Sequence, residues 1–330
     1  MAEFLTFDTD LTAVANAIRA KGGTSAQLVY PNGFVSAIQA IQTGITPKLV
    51  ITTAPGASIT ATPAEGFKVV KGTAGTDGMC TLELPKAGTW NVTAMANSVS
   101  NSQHIVIGTQ NMLLPLYHDT FADNTWEEII AVCRTGIAPD SWAVGDSKTM
   151  TIGGTAYQVD IIGKNHDEYA DGSGTAPLTF QLHDCYSEAK QMYSTNLSGL
   201  GWKNTDMRLT YLPAILALMP AEVQNGIRAV NKKTSEGGNS TTIETVSDTL
   251  FLLSEVEIFG TASSSVAGEG SQYDYYKAGN PKIKKREGVD EFWWERSSAS
   301  GGMFCRVRAN GQAGASNASN SLGVSFAFCF

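Results

Sequence analysis

The chain has 330 residues, of which 42% are hydrophobic and 16% are charged, and its formal net charge is −8 at pH 7. This length suits two or three domains, each large enough to bury a core. The negative charge disfavours binding to a nucleic-acid backbone, which requires a concentrated basic face. The one basic run, residues 282–286, lies beside acidic residues and is expected to be a solvated loop. Nucleic acid is therefore not an expected partner.

The sequence has no stretch approaching the roughly 20 apolar residues that span a bilayer, and its N-terminus lacks the pattern of a signal peptide. We therefore expect neither membrane insertion nor secretion by a signal peptide. The five cysteines are scattered along the chain and form no C-x-x-C pair. Buried, reduced thiols are expected, with a disulfide between Cys305 and Cys329 as the alternative.

The first 45 residues show apolar residues at helical spacing. Leu11, Val14 and Ile18 fall on one face of a predicted helix, and residues 33–41 form a second short helix. Two short amphipathic helices cannot bury their apolar faces by themselves. We therefore predict that residues 1–45 are a helical segment that attaches to copies of itself or to another component.

From residue 46 the pattern changes to alternation of apolar and polar residues, with turns at Pro55-Gly56 and Asp77-Gly78. Short strands at regular intervals are typical of a small β-sandwich, so residues 46–108 are predicted to be a spacer domain. The segments 75–78, 82–85 and 88–90 resemble those of immunoglobulin-like or carboxypeptidase-regulatory-like sandwiches. The predicted strands are residues 49–51, 58–61, 68–70, 80–84, 90–94 and 104–107.

Residues 109–330 mix helical and strand patterns, so the fold class is predicted to be multidomain α+β. Residues 125–133 have the N-cap and spacing of a helix, and two strands flank Gly153-Gly154 as a hairpin. A further helix is predicted over residues 205–219 and a buried strand over residues 249–254.

The C-terminal part has aromatic strands at residues 292–297, 304–307 and 323–330, which bracket a loop of small residues at 311–321. Because Trp and Phe dominate burial, this core is expected to be rigid, whereas a small polar loop can change sequence at little folding cost. Trp293 and Trp294 alternate across a strand, so one is expected in the core and the other as a ligand platform. The tail is thus predicted to form an adaptable binding face.

Several patterns in this tail resemble an uncharacterised domain family of phage and bacterial surface proteins, some of which are variable proteins of diversity-generating retroelements. The resemblance covers roughly residues 110–330, and residues 18–24 are similar to the start of phage tail-fibre proteins of Gram-positive hosts. The patterns are W-W-E-R-S at 293–297, F-C-x-V at 304–307, N-G at 310–311, N-A-S at 317–319 and G-V-x-F-x-F-C at 323–329.

The resemblance implies a C-type-lectin-like fold for residues 109–330, of the kind shared with formylglycine-generating enzymes. It implies a phage tail receptor-binding protein in the virion, a homotrimer whose N-terminus contacts other tail proteins. The expected partner is a protein or glycan receptor on a bacterial surface, bound through positions that adenine-directed mutagenesis diversifies. These implied ligand-binding positions are Met303, Arg306, Arg308, Ala309, Gln312, Ala315, Ser316, Leu322 and Ser325, with Trp294 as the platform.

Two alternatives to this function remain open. The first is a structural tail component or bacterial surface adhesin with an ordinary loop that is not diversified. The second is oxygen-dependent thiol chemistry like that of formylglycine-generating enzymes, but Cys305 and Cys329 lie among apolar neighbours and are expected in the core.

Motifs of catalysis and metal binding are otherwise missing from the sequence, so we expect no enzyme activity, cofactor or metal. His166, Asp167 and Asp171 are metal-ligand types, but their spacing favours structural hydrogen bonds, with calcium at residues 167–171 as the alternative. Glu295 and Arg296 are predicted to form a partly buried ion pair.

Overall fold

The computed structural model describes residues 12–18, 47–64, 68–85, 87–107, 110–197, 199–238 and 240–330. These residues form both helices and sheets and are mainly β, as the predicted α+β class requires. The chain divides into two compact units, Met1–Leu114 and Pro115–Phe330. Residues 12–18 are helical, and the rest of the predicted N-terminal segment lies outside the described residues.

The first unit contains two sheets, one with the strand order β4-β1-β7 and the other with the order β3-β2-β5-β6. Their alternating buried residues include Ile51, Ile59 and Trp90, which form the core. Six of the seven strands correspond to predicted strands, although β3 begins later than expected. The strands are β1 (Lys48–Thr52), β2 (Ser58–Pro63), β3 (Val70–Thr73), β4 (Met79–Glu83), β5 (Gly88–Ala96), β6 (Val99–Ile107) and β7 (Gln110–Leu113).

The seventh strand lies beyond residue 108, the predicted end of the spacer domain. β7 pairs in parallel with β1, and Leu49 lies opposite Gln110. The first unit therefore extends to Leu114 and not to residue 108. The sequence pattern could not show this, because a parallel partner comes from a distant part of the chain.

The second unit is built around an antiparallel sheet of four strands with the order β18-β10-β9-β8. The predicted hairpin is confirmed, because β8 and β9 pair across Gly153 and Gly154, which both have positive φ. The C-terminal strand returns to this sheet and places Phe328 opposite Phe180. The four strands are β8 (Ser147–Ile152), β9 (Thr155–Lys164), β10 (Leu178–Leu182) and β18 (Ala327–Cys329).

The remaining strands of this unit form two hairpins and a three-stranded sheet with the order β15-β16-β17. β17 lies inside the predicted loop of residues 311–321, so that prediction is wrong for its middle part. Small residues form a strand here because their backbone groups pair with those of β16. The strands are β11 (Val230–Ser235), β12 (Ile243–Asp248), β13 (Lys284–Arg286), β14 (Val289–Glu291), β15 (Trp293–Ser298), β16 (Met303–Val307) and β17 (Ala313–Asn317).

The helices of the second unit are short. The predicted helix at 125–133 is confirmed, and Thr125 and Glu128 form a capping box at its start. The helix predicted over residues 205–219 is instead a π-helical turn, Met207–Tyr211, followed by a short α-helix. The α-helices are α1 (Trp126–Cys133), α2 (Leu212–Leu216), α3 (Ala221–Gly226), α4 (Glu255–Phe259) and α5 (Asp274–Lys277); Phe121–Asp123 and Trp202–Asn204 are 3-10 turns.

The strand predicted over residues 249–254 is buried but is not a strand. Phe251 makes a single bridge to Ala327, and Ser254 then caps α4. Throughout the described parts of the chain, every helix is too short or too polar to cross a lipid bilayer.

Candidate binding face

The strand register of β15 to β17 brings four of the predicted positions to one side of the sheet. Arg306 lies opposite Gly314, so Arg308, Gln312 and Ser316, which lie two positions away, share its side, as does the fully buried Phe304. A Cβ atom on Gly314 would lie 2.8 Å from Arg308 Nε, which shows that the Arg308 side chain packs across Gly314. Together with the exposed ring of Phe292, these side chains define the arginine face: Phe292, Arg306, Arg308, Gln312 and Ser316.

Arg306 contacts both an aromatic ring and a backbone carbonyl in the arginine face. Its guanidinium carbon lies 4.2 Å from the centre of the Phe292 ring, which is itself 38% exposed. Its Nε donates a hydrogen bond to the Ala315 carbonyl at 3.1 Å, whereas its Nη1 is buried and has no acceptor among the described residues. Burial and the neighbouring charge of Arg308 lower the pKa of Arg306. The guanidinium thus has an unused donor beside a second positive charge.

The other predicted positions do not all belong to this face. Met303 and Ala315 occupy the opposite side of the sheet, where Ala315 lies across from the buried Cys305. Ala309 lies in the turn after β16 and is half-buried. Leu322 is half-buried against the core and bridges to Lys190.

Two predicted ligand positions are wrong because they are fully buried. Trp294, the expected platform, donates its indole N–H to the Lys190 carbonyl at 2.8 Å. Ser325 donates its hydroxyl to the Leu182 carbonyl at 2.9 Å. Trp293 is also fully buried, so chain segments cover both sides of β15 and neither tryptophan is available to a ligand.

Behind this sheet lies a buried charged network that the sequence analysis missed. Lys232 Nζ lies 2.7 Å from both Asp167 Oδ1 and Glu257 Oε1, and Tyr273 donates its hydroxyl to Asp167 Oδ2 at 2.8 Å. Burial alone would raise the pKa of Asp167, but the charge and hydrogen bond of Lys232 lower it to about 2. Asp167, Lys232 and Glu257 each contact an opposite charge, which offsets the cost of burying a charged group.

Arg296 forms its ion pair with Glu257 of this network and not with Glu295, its neighbour in the sequence. Both terminal nitrogens of its guanidinium donate to the Glu257 carboxylate, and further hydrogen bonds reach the carbonyls of Leu252, Lys233 and Glu269. The predicted pair between Glu295 and Arg296 is wrong, because consecutive strand residues point to opposite sides of a sheet.

Glu295 is left on the other side of β15 with no hydrogen-bond partner for either carboxyl oxygen among the described residues. Burial, together with the nearby Glu255 and Glu269, raises its pKa well above the usual value. The neutral, protonated acid is thereby favoured. Glu255 itself is held as a carboxylate, because backbone and hydroxyl groups of Ser263, Ser264 and Ser265 bind it.

The five cysteines are free and buried, so the alternative of a Cys305–Cys329 disulfide is wrong. Cys305 lies 3.9 Å from a Glu255 oxygen, and Cys329 lies 3.8 Å from an Asp167 oxygen. Burial raises the pKa of both thiols. A reactive cysteine needs the opposite shift, so these surroundings do not favour thiol chemistry.

The residues proposed as alternative calcium ligands already have cationic partners. Asp167 pairs with Lys232, and Asp171 lies 2.6 Å from Arg228 Nη2. Within the described ranges, no cluster of three or more His, Cys, Asp or Glu residues is placed to hold a metal ion.

An open polar cleft of about 460 Å³ lies above the buried network. The His166 ring stacks on Tyr273 with 3.9 Å between the ring centres, and burial lowers the pKa of His166. The cleft is lined further by Asn231, Lys233 and Thr245. Both acidic and basic groups line the cleft, so its charge selects no single class of ligand.

Comparison with known proteins matches one part of the chain. A family described as a domain of unknown function (DUF6273) matches residues 179–330. The match begins inside β10 and includes the arginine face. It leaves out α1 and the strands β8 and β9. A search of curated proteins finds no match to the chain.

Proposed function

We propose that this chain is a phage tail protein that binds a bacterial surface receptor through the arginine face. One observation carries the proposal: Arg306 and Arg308 lie side by side beside a half-exposed aromatic ring, at the end of a sheet whose Trp294, Phe304 and Val307 are packed into an aromatic core. Arginine and aromatic residues are the types that dominate binding energy in protein interfaces. Their rigid support lowers the entropy lost on binding.

The assignment to a phage tail rests on the resemblance of the sequence. It includes a C-type-lectin-like fold for the second unit, an immunoglobulin-like fold for the first, and a trimer in the virion whose N-terminal segment contacts other tail proteins. The two-sheet first unit supports a spacer role, because it is a compact unit of its own and the arginine face belongs to the second unit. Several copies on one fibre would add avidity to weak single sites.

The proposal includes diversification of the exposed positions. Arg308 and Gln312 are exposed, whereas Trp293, Phe304 and Phe326 are fully buried. Substitution at the exposed positions costs little folding energy, and substitution in the core costs much more. Sequencing the 3′ end of the gene across a population should therefore find clustered changes on the face and none in the core. Evenly spread changes would instead favour a structural tail component or an adhesin that is not diversified.

A direct test measures binding to cells. The fluorescently labelled full chain is incubated with a panel of strains that includes the bacterium whose phage or chromosome carries the gene. We expect saturable binding to at least one strain, and loss of that binding in the double variant Arg308→Glu, Gln312→Arg. The control is Arg134→Glu, which changes an exposed arginine at the end of α1. Failure of every strain to bind, or equal binding by the double variant, would refute the proposal.

A further inference from the structure

We infer that the arginine face binds an oxyanion, a phosphate or carboxylate group carried by an anionic polymer of the bacterial surface. This inference rests on the proposed function and names the chemistry of the ligand at the same face. Planar guanidinium groups bind both kinds of oxyanion through paired, charge-assisted hydrogen bonds.

The first observation is the lack of a carboxylate partner at this face. Arg208, Arg228, Arg286 and Arg296 each form an ion pair with an acidic side chain. Among the arginines that the structure describes, Arg134, Arg306 and Arg308 form none, and of these three only Arg306 and Arg308 are neighbours. The chain carries more acidic than basic residues, yet within the described ranges no acidic side chain forms an ion pair with either of these two arginines.

The acidic side chain next to Phe292 in the sequence, Glu291, is already engaged. Glu291 Oε2 lies 2.8 Å from Arg286 Nη2, and its other oxygen accepts the backbone N–H of Phe292 at 2.9 Å. Glu291 therefore stabilises the hairpin that precedes the face and does not neutralise Arg306. The positive charge is left for a group from outside the chain.

The second observation is the unused donor. A buried N–H without an acceptor costs free energy, and Nη1 of Arg306 is such a group. The Phe292 ring covers one side of the guanidinium, and Arg308 adds a repelling charge. An oxyanion placed against the pair would cancel the repulsion, and rotation of the half-exposed Arg306 side chain would turn the buried donor towards it. Because the guanidinium is partly buried, this attraction is screened less than at an open surface.

The inference is tested without cells, on cellulose that carries phosphate, carboxymethyl or no charged groups. A protein of net charge −8 should not be retained by a negatively charged matrix unless it has a local basic face. We expect retention of the full chain on a charged matrix at pH 7 and low salt, and elution at about 0.2 M salt. Preference for one matrix identifies phosphate or carboxylate as the group bound.

Variants that each remove one positive charge test whether retention depends on the arginine face. Arg306→Gln and Arg308→Gln should each weaken retention about tenfold, whereas Arg134→Gln should leave it unchanged. Arg306→Lys keeps the charge but loses the planar fork, so its retention should fall between wild type and Arg306→Gln. Urea unfolding of each variant checks that the fold is kept.

Three results would overturn the inference: no retention on either charged matrix, equal retention on neutral cellulose, or equal retention of Arg306→Gln and wild type. The cell assay separates this failure from failure of the proposed function. If cells bind the Arg306→Gln variant and wild type equally, receptor binding remains supported and the oxyanion inference is refuted. Retention on a charged matrix without binding to any strain would support the oxyanion inference and refute the proposed function.

Discussion

Arg296 and Arg306 lie on adjacent, hydrogen-bonded strands of one sheet, yet their surroundings differ completely. Arg296 is fully buried, and its guanidinium donates to Glu257 and to backbone carbonyls. Arg306 is half-exposed and has one hydrogen bond, one aromatic contact and an unused donor. A fully paired charge organises a fold, whereas a charge that the chain leaves unpaired is suited to a ligand.

The largest expected effect comes from removing the buried arginine. Arg296→Met leaves the Glu257 carboxylate buried with Lys232 as its remaining cation, so the free energy of unfolding should fall by about 3–5 kcal/mol. Urea unfolding measures this change. Arg306→Met is the matched control and should cost less than about 1 kcal/mol. Similar losses in the two variants would mean that the two arginines do not differ in role.

A smaller effect is expected from two glycines. A Cβ atom at the buried Gly323 would lie 2.5 Å from Cys185 Sγ and 3.1 Å from the Phe292 carbonyl oxygen. Gly323→Ala should therefore reduce the free energy of unfolding by about 1–3 kcal/mol. Gly314→Ala meets only the flexible Arg308 side chain, so it should cost less in urea unfolding while weakening retention on a charged matrix. A larger loss for Gly314→Ala would contradict the assignment of Arg308 to the exposed face.

The pH dependence of stability distinguishes Glu295 from the paired carboxylates. Its folded pKa is raised above the unfolded value of about 4.3. Below about pH 4 Glu295 is protonated in both the folded and the unfolded chain. At higher pH the unfolded chain releases this proton first, so the free energy of unfolding falls. Glu295→Gln cannot release a proton. Its free energy of unfolding should thus rise relative to wild type by up to about 1.4 kcal/mol per pH unit above pH 4.

Urea unfolding of both proteins from pH 4 to pH 8 provides the measurement. The titratable groups that interact with Glu295 are all kept in the variant: Glu255, Glu269, Tyr276, Arg296 and Cys305. A difference between the two proteins that stays constant with pH would show that Glu295 has an ordinary pKa.

The smallest effects on stability are expected on the arginine face itself. Arg308→Gln and Gln312→Ala change exposed side chains, so each should alter the free energy of unfolding by less than about 0.5 kcal/mol. Urea unfolding measures the stability of both variants. Binding is measured by the matrix assay for Arg308→Gln and by the cell assay for Gln312→Ala. A loss of more than about 2 kcal/mol would show that the face is part of the structural core.

Local patterns in the sequence predicted much of the fold correctly. The capping box of α1, the hairpin of β8 and β9, and most strands of the first unit depend on residues a few positions apart. For the same reason, the sequence singled out the C-terminal strands, which carry Arg306 and Arg308. Periodicity shows which side chains share a face of a strand or helix.

Only the tertiary structure decided what covers each face. Trp294 has the same local pattern as an exposed platform, but the chain near Lys190 lies over it. Asp167 and Lys232 meet across 65 positions, and Lys232 also contacts Glu257. Alternation along one strand contains no information about such distant partners. Burial and charge pairing are therefore properties of the folded chain, and they separate Arg296, which is used internally, from Arg306, which is left available.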